Sequence, residues 1–183
     1  MHPYSMPKPI ATIYLKDVLP KREALFGVTN IHATPKLEKV VISARIKRGG
    51  SVDQEKVLST LSKITGQKAV PTKARLSISN FKIREGQVLG AKVTLRGERA
   101  RDFLDRLVNI TFPRVRDFSG LPGKGFDGHG NYTIGLREHN VFPEAASDDV
   151  SSLHGLEVTV GTSAANDADG RALLMSLGFP FKK

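Results

Sequence analysis

Residues 36–47, KLEKVVISARIK, place apolar and polar side chains on alternate positions around a Val-Val-Ile centre, a pattern that suits a strand and not a helix. A period of two sends successive side chains to opposite sides of a sheet, so one side is buried and the other meets solvent or a partner. Gly49-Gly50 closes this run. The same rhythm returns with Tyr132, Ile134 and Leu136 in 131–139, and with Leu156, Val158 and Val160 in 156–163. Residues 67–97 read as short extended segments joined by a polar loop, with Ile78, Val88, Val93 and Leu95 among Lys, Ser and Thr.

Helical spacing occupies the intervals. Asp17 is placed to cap a short helix over Val18–Phe26, stopped by Gly27, with Pro20 tolerated in the first turn. Ser51 is placed to cap a helix in which Val57, Leu61 and Ile64 recur on one stripe before Gly66. A stronger helix is predicted over Glu98–Thr111: Ala100, Phe103, Leu104, Leu107 and Val108 point inward, Arg99, Arg101, Asp102 and Arg106 outward, and Pro113 ends it. Asn166, with Asp169 three residues on, opens a last helix that stops at Gly178, and Gly170 weakens it by about 1 kcal/mol relative to Ala. Strands interspersed with helices and joined by short loops predict an α+β fold, a sheet with helices on one face and the other face free. A length of 183 residues requires no more than one domain, and the proline-rich start, residues 1–15, reads as a flexible tip.

The free face acquires a purpose from the charge. The chain carries +10 in all, and between Lys63 and Arg116 thirteen basic residues stand against four acids, so +9 of it lies in under a third of the length. Interleaved Gln67, Thr72, Ser77, Ser79, Asn80 and Thr94 add uncharged hydrogen-bonding groups, the composition of a surface that tracks phosphates. Nucleic acid is the favoured partner. A peripheral membrane role is the rival, but no helix pairs a Lys-rich face with a Trp/Phe/Leu face.

Catalytic chemistry is poorly represented. The absence of cysteine removes thiolate nucleophiles and Cys-based zinc sites, and it suits a reducing, cytoplasmic setting. Asp127, His129 and His139 have no spacing that gathers them on one face and read as surface polar groups rather than a metal site. Asp102 with Asp105, and Asp148 with Asp149, read as helix-face or capping charges. Gly123-Lys124-Gly125-Phe126-Asp127-Gly128 matches the dinucleotide glycine pattern, but that pattern needs a strand before it and a helix after it, and here the order is reversed. The stretch reads instead as a long permissive loop, mechanical slack rather than a phosphate cradle. No enzyme, cofactor, metal or small-molecule substrate is expected. Phe81 reads as core, with base stacking as the alternative.

The run ITGQKAVPTKARLSISNFKIREGQVLGAKVTLRGERARDFLDRLVNITFPRVRDFSGL, then FDGHGNYTIGLREHNVFPE and the ending RALLMSLGFPF, resembles the bacterial form of the fifth large-subunit ribosomal protein family over about residues 36–181. That resemblance implies a twisted antiparallel sheet with helices on one side, a concave face that holds 5S ribosomal RNA, and a ribosome-bound cytoplasmic protein. It places RNA-facing polar groups at Ser43, Gln67 and Thr94, with Arg45, Lys47 and Arg96 as accompanying cations. Ser43 departs from the family's usual asparagine, losing the amide's reach and second donor, and Arg45, Lys47 and Arg48 are positioned to compensate. By the same resemblance, the loop Lys68–Ser79, with Lys68, Thr72, Lys73, Arg75 and Ser77, touches the elbow of peptidyl-site transfer RNA. Arg114, Arg116 and Asp117 bridge to a protein of the small-subunit head. Large-subunit ribosomal RNA is a further implied partner. The alternative is a generic basic RNA-binding domain without 5S specificity.

Overall fold

The computed structural model describes residues 8–46, 54–146 and 153–182. Lys47, Arg48, the Gly49-Gly50 stop, the Ser51 cap and the Asp148-Asp149 pair lie outside the described residues. The element order is α1 Ile10–Ile13, α2 Arg22–Phe26, β1 Leu37–Arg45, α3 Gln54–Thr65, β2 Val70–Lys73, β3 Val88–Arg96, α4 Gly97–Arg106, α5 Phe112–Arg114, β4 Tyr132–Leu136, β5 Leu156–Thr162 and α6 Asp167–Ser176. The strands form one antiparallel five-stranded sheet in the order β2-β3-β1-β5-β4, and with the helices they make an α+β fold. The chain divides into two compact units: residues 1–39, 96–133 and 160–183 in one, residues 40–95 and 134–159 in the other.

The second unit holds most of the sheet. Val40, Ile42, Val93, Leu95 and Val158 are buried, as are Val57, Leu61 and Ile64 on the stripe of α3. The alternate positions Val41, Ser43 and Arg45 on β1, Lys92 and Thr94 on β3, and Glu157 on β5 are half-buried or exposed. Period-two patterning has thus produced one sealed face and one open polar face. Strand β2 pairs with β3 through Val70↔Lys92 and Thr72↔Gly90, and the register shifts between Thr72 and Lys73. Past that irregularity the two strands run out into an arm closed at its base by the Ala74 N–H on the Gln87 carbonyl (2.8 Å). Reciprocal Ile78–Ile83 backbone bonds of 2.9 and 3.0 Å hold it further out. The tip is a short 3₁₀ turn, Ser79–Phe81, followed by Lys82 in the left-handed region (φ 50°).

The first unit is mainly helical, and here the sequence reading needs correction. The chain is helical from Ile10, not from Val18, and continues as a π turn over Tyr14–Val18 in which Asp17 is an interior residue rather than a cap. Ile10 is buried and its N–H donates to Asp105 Oδ1 at 2.8 Å. The helix breaks around Pro20 and resumes as α2, and Gly27 ends it with φ 66° as expected. Helix α4 passes into a second π turn, Leu107–Thr111, and then α5, so Pro113 lies inside the final helical turn rather than after it. A widened turn relieves the clash between a proline ring and the carbonyl four residues back, which is how the helix runs through.

Helix α6 behaves as its sequence directs. Asn166 Oδ1 accepts the Asp169 N–H at 2.8 Å, and Gly178 closes the helix with φ 93°. Gly170, expected only to weaken it, has a packing reason: a Cβ there would lie 2.5 Å from the Gly130 carbonyl oxygen.

Candidate nucleic-acid interface

The open face of the second unit carries a groove of about 890 Å³, lined among others by Ser43, Arg45, Thr72, Lys92, Arg137 and Glu157. Ser43, Arg45, Lys92 and Glu157 reach the groove because strand alternation puts them opposite the buried set, Thr72 comes from β2, and Arg137 follows the end of β4. Gly90 shapes the floor, and a separate hydrogen bond fixes Gln67 against β3. Gly90 lets β1 approach closely, since a Cβ there would stand 2.6 Å from the Ala44 carbonyl oxygen and 3.1 Å from Thr72 Oγ1. Gln67, just past the C-terminus of α3, donates from Nε2 to the Thr94 carbonyl at 3.1 Å. Where α3 ends, the Thr65 hydroxyl donates to the Leu61 carbonyl (2.7 Å) and accepts the Gln67 N–H (3.3 Å).

The residues expected to face RNA divide accordingly. Ser43, Arg45 and Thr94 lie on the open face of adjacent strands, and Gln67 joins them through Thr94. Arg96 is the exposed last residue of β3, and Lys47 is outside the described residues. Ser43 donates to Glu157 Oε2 at 3.3 Å. Alternation also brings in Lys92 and Glu157, and Arg137 joins them from the bend after β4; the sequence reading missed all three. Counting odd and even positions along the predicted strands was the signal that could have found Lys92 and Glu157.

The residues of the proposed arm separate as well. Lys68 precedes β2, and Thr72 belongs to the sheet floor rather than to the projection. Lys73 and Arg75 are exposed at the arm's base. Ser77 Oγ accepts the Glu85 N–H at 2.9 Å, so this side chain stiffens the arm from within. Phe81 is 69% exposed at the tip, against its reading as core, with Leu76 at 73% and Ile78 at 44% beside it. Apolar groups displayed together with Lys73, Arg75, Lys82 and Arg84 give the arm both contact area and positive charge.

In the first unit, Arg114, Arg116 and Asp117 are all exposed, and Asp117 has φ 52°. The glycine-rich stretch beyond them is pinned rather than slack. A Cβ on Gly125 would lie 2.6 Å from the Tyr132 ring and 2.7 Å from the Thr133 carbonyl oxygen. Asp127 Oδ1 accepts the N–H groups of His129 (2.9 Å) and Asn131 (3.1 Å), while Asn131 Nδ2 donates to Oδ2 at 2.7 Å. The Asn131 amide and these backbone donors hold the Asp127 carboxyl below the usual aspartate value. Asp167 Oδ1 accepts from the N–H groups of Gly128 (3.0 Å) and Gly130 (2.9 Å). The amide of the last glycine of the dinucleotide pattern is therefore engaged by a carboxylate, and β4 rather than a helix follows.

His139 also departs from its surface reading. It is fully buried, stacks on His154 with ring centroids 4.2 Å apart, and its Nδ1 accepts the His154 N–H at 3.2 Å. Asp127 and His129 are exposed as expected, and Asp105 is the acceptor for Ile10 rather than a plain helix-face charge. Burial pushes the Asp105 carboxyl up from its usual value, against the pull of that hydrogen bond. Among the described residues there is no group of three or more His, Cys, Asp or Glu able to hold a metal ion, and no helix long and apolar enough to cross a membrane.

A sheet with one face sealed and the other polar, grooved and mostly cationic defines a class: an α+β protein with an open, basic sheet face. Known proteins narrow the class. Residues 30–84 match the family described as ribosomal protein L5, and residues 88–181 match the C-terminus of the same ribosomal protein family. Similar curated proteins include large ribosomal subunit protein uL5 of Trichlorobacter lovleyi, 49% identical over 93% of this chain and 96% of that protein. The protein of the same name from Synechocystis is 46% identical over 97% of this chain and 99% of its own length. That from Streptococcus pyogenes serotype M49 is 47% identical over 93% and 96%. The chain belongs to the ribosomal protein L5 family, whose members are structural rather than enzymatic.

Proposed function

We propose that this protein is a structural constituent of the large ribosomal subunit, cytoplasmic and ribosome-bound, that binds 5S ribosomal RNA on the open face of its sheet. Family membership supports the ribosomal role. The observation that carries the RNA-binding assignment is the open polar face of the second unit, where Arg45, Lys92 and Arg137 line one groove with Ser43 and Thr72, and Thr94 lies two residues from Lys92 on the same side of β3. Cations neutralise phosphates and release counterions, which supplies affinity. Fixed polar side chains on a shallow sheet can reach the minor-groove hydroxyls and loop bases that distinguish one folded RNA from another. The arm at residues 74–87, with Lys73 and Arg75 at its base, is assigned to the elbow of peptidyl-site transfer RNA, and Arg114, Arg116 and Asp117 to a protein of the small-subunit head. The glycine-rich loop that follows these residues is fixed by Asp167 and does not act as an elastic tether.

Gel-shift titration of 5S RNA against a scrambled RNA of equal length, across a salt series, tests this. The wild-type protein is expected to prefer 5S RNA at every salt concentration. Gln67→Ala with Thr94→Ala is expected to narrow that preference more than it flattens the salt dependence. Lys73→Ala with Arg75→Ala leaves 5S binding nearly intact. Equal affinity for both RNAs reduces the protein to a generic basic RNA-binding domain.

A further inference from the structure

Glu157 stands out by its sign. It lies in the same groove as Arg45, Lys92 and Arg137, where a carboxylate opposes the approach of phosphate. Among the described residues it makes no ion pair, and its polar partner is the Ser43 hydroxyl, which donates to Oε2 at 3.3 Å. Strands β1 and β5 are neighbours in the sheet, so this contact runs across the strands and aligns the carboxylate on the open face. Oε1 and the remaining lone pairs of Oε2 stay available as two adjacent acceptors. Phosphate offers no donor to meet them, and a ribose hydroxyl offers one. The Watson–Crick edge of an unpaired guanine offers two side by side, N1–H and N2–H₂.

We infer that Glu157, oriented by Ser43, is a specificity-determining residue that accepts hydrogen bonds from the Watson–Crick edge of an unpaired guanine in the bound RNA. This rests on the RNA-binding reading above and adds the base it selects. The surrounding cations hold the backbone, and the carboxylate rejects placements that bring phosphate where the base belongs.

The test uses the full-length protein with a 5S RNA transcript and a scrambled transcript of equal length. Glu157→Gln is expected to weaken 5S binding about tenfold, within the range for losing a bidentate base contact, while scrambled RNA binds as well as before or better. Tightening of both RNAs to the same extent makes Glu157 a repulsive bystander and overturns the inference; so does no change in either. Inosine-substitution interference, which removes N2–H₂ one guanine at a time, supplies a readout independent of overall affinity. The wild-type protein is expected to show interference at a guanine in an unpaired segment, lost in Glu157→Gln, and an identical pattern for both proteins overturns the inference. If the wild-type protein itself does not prefer 5S RNA, the proposed function fails, and the inference with it.

Discussion

Gly170→Ala sets two effects of opposite sign against each other. Gly170 lies in the interior of α6, and replacing a helical glycine with alanine ordinarily stabilises by about 1 kcal/mol. Here the added methyl meets the Gly130 carbonyl oxygen at 2.5 Å, its Cα at 2.8 Å and its carbonyl carbon at 3.0 Å. Those are backbone atoms, and Gly130 is held from both sides. Its N–H donates to Asp167 Oδ1 at 2.9 Å, and its carbonyl accepts from the buried Thr162 hydroxyl at 2.8 Å. Retreat from the methyl breaks one of those bonds, about 1 kcal/mol or more for a buried group, on top of the ~1–3 kcal/mol usual for overpacking. After the propensity gain is subtracted, the variant is expected to be about 1–3 kcal/mol less stable. Urea unfolding followed by circular dichroism measures this through the midpoint at constant slope. Gly135→Ala is the control: Gly135 sits in β4 with nothing within 4 Å of its added Cβ, and its change should stay within about 0.5 kcal/mol. Gly170→Ala as stable as the wild type, or more so, refutes the close approach of residues 130 and 170.

Further outcomes follow from the same structure. Gly90→Ala drives a methyl into the Ala44 carbonyl oxygen, so it should cost about 1–3 kcal/mol by thermal unfolding and shift backbone resonances in β1 and β2. The Asp127 carboxyl titrates lower in the folded protein than in the unfolded chain, so the order it lends the loop is complete above the free aspartate value of about 3.9 and is lost as pH falls through its lower folded value. Amide protection at His129 and Asn131 that fades already between pH 6 and 4 contradicts this. Asp105→Ala removes the acceptor for the Ile10 N–H, and trypsin should then cleave after Lys16 faster than in the wild type, with cleavage elsewhere unchanged.

What the sequence disclosed, and what it concealed, follows from the range of the interactions. The strands were legible because a single local rule, alternation, decides both their existence and their open face; Val40, Ile42 and Leu95 are buried for the same reason that Ser43, Lys92 and Thr94 are not. Applied one strand further, that rule reaches Glu157, which shows that the face was more legible than its expected residues. Gly27 and Gly178 announced their helix ends because a left-handed residue is a local requirement. The errors are non-local. The helical start at Ile10 depends on Asp105, 95 residues away, and the prolines nearby concealed it. The fixed loop depends on Asp167, 39 residues from Gly128, and on the contact of Gly130 with Gly170, so a run of glycines that reads as slack is instead the condition for tight packing. Glycine count alone cannot separate the two cases, because the residue that gives a free chain its freedom also lets two backbones meet. Only the partner across the contact decides, and for Gly125 that partner is the Tyr132 ring, seven residues on, itself fixed by its hydroxyl on the Pro122 carbonyl at 2.6 Å.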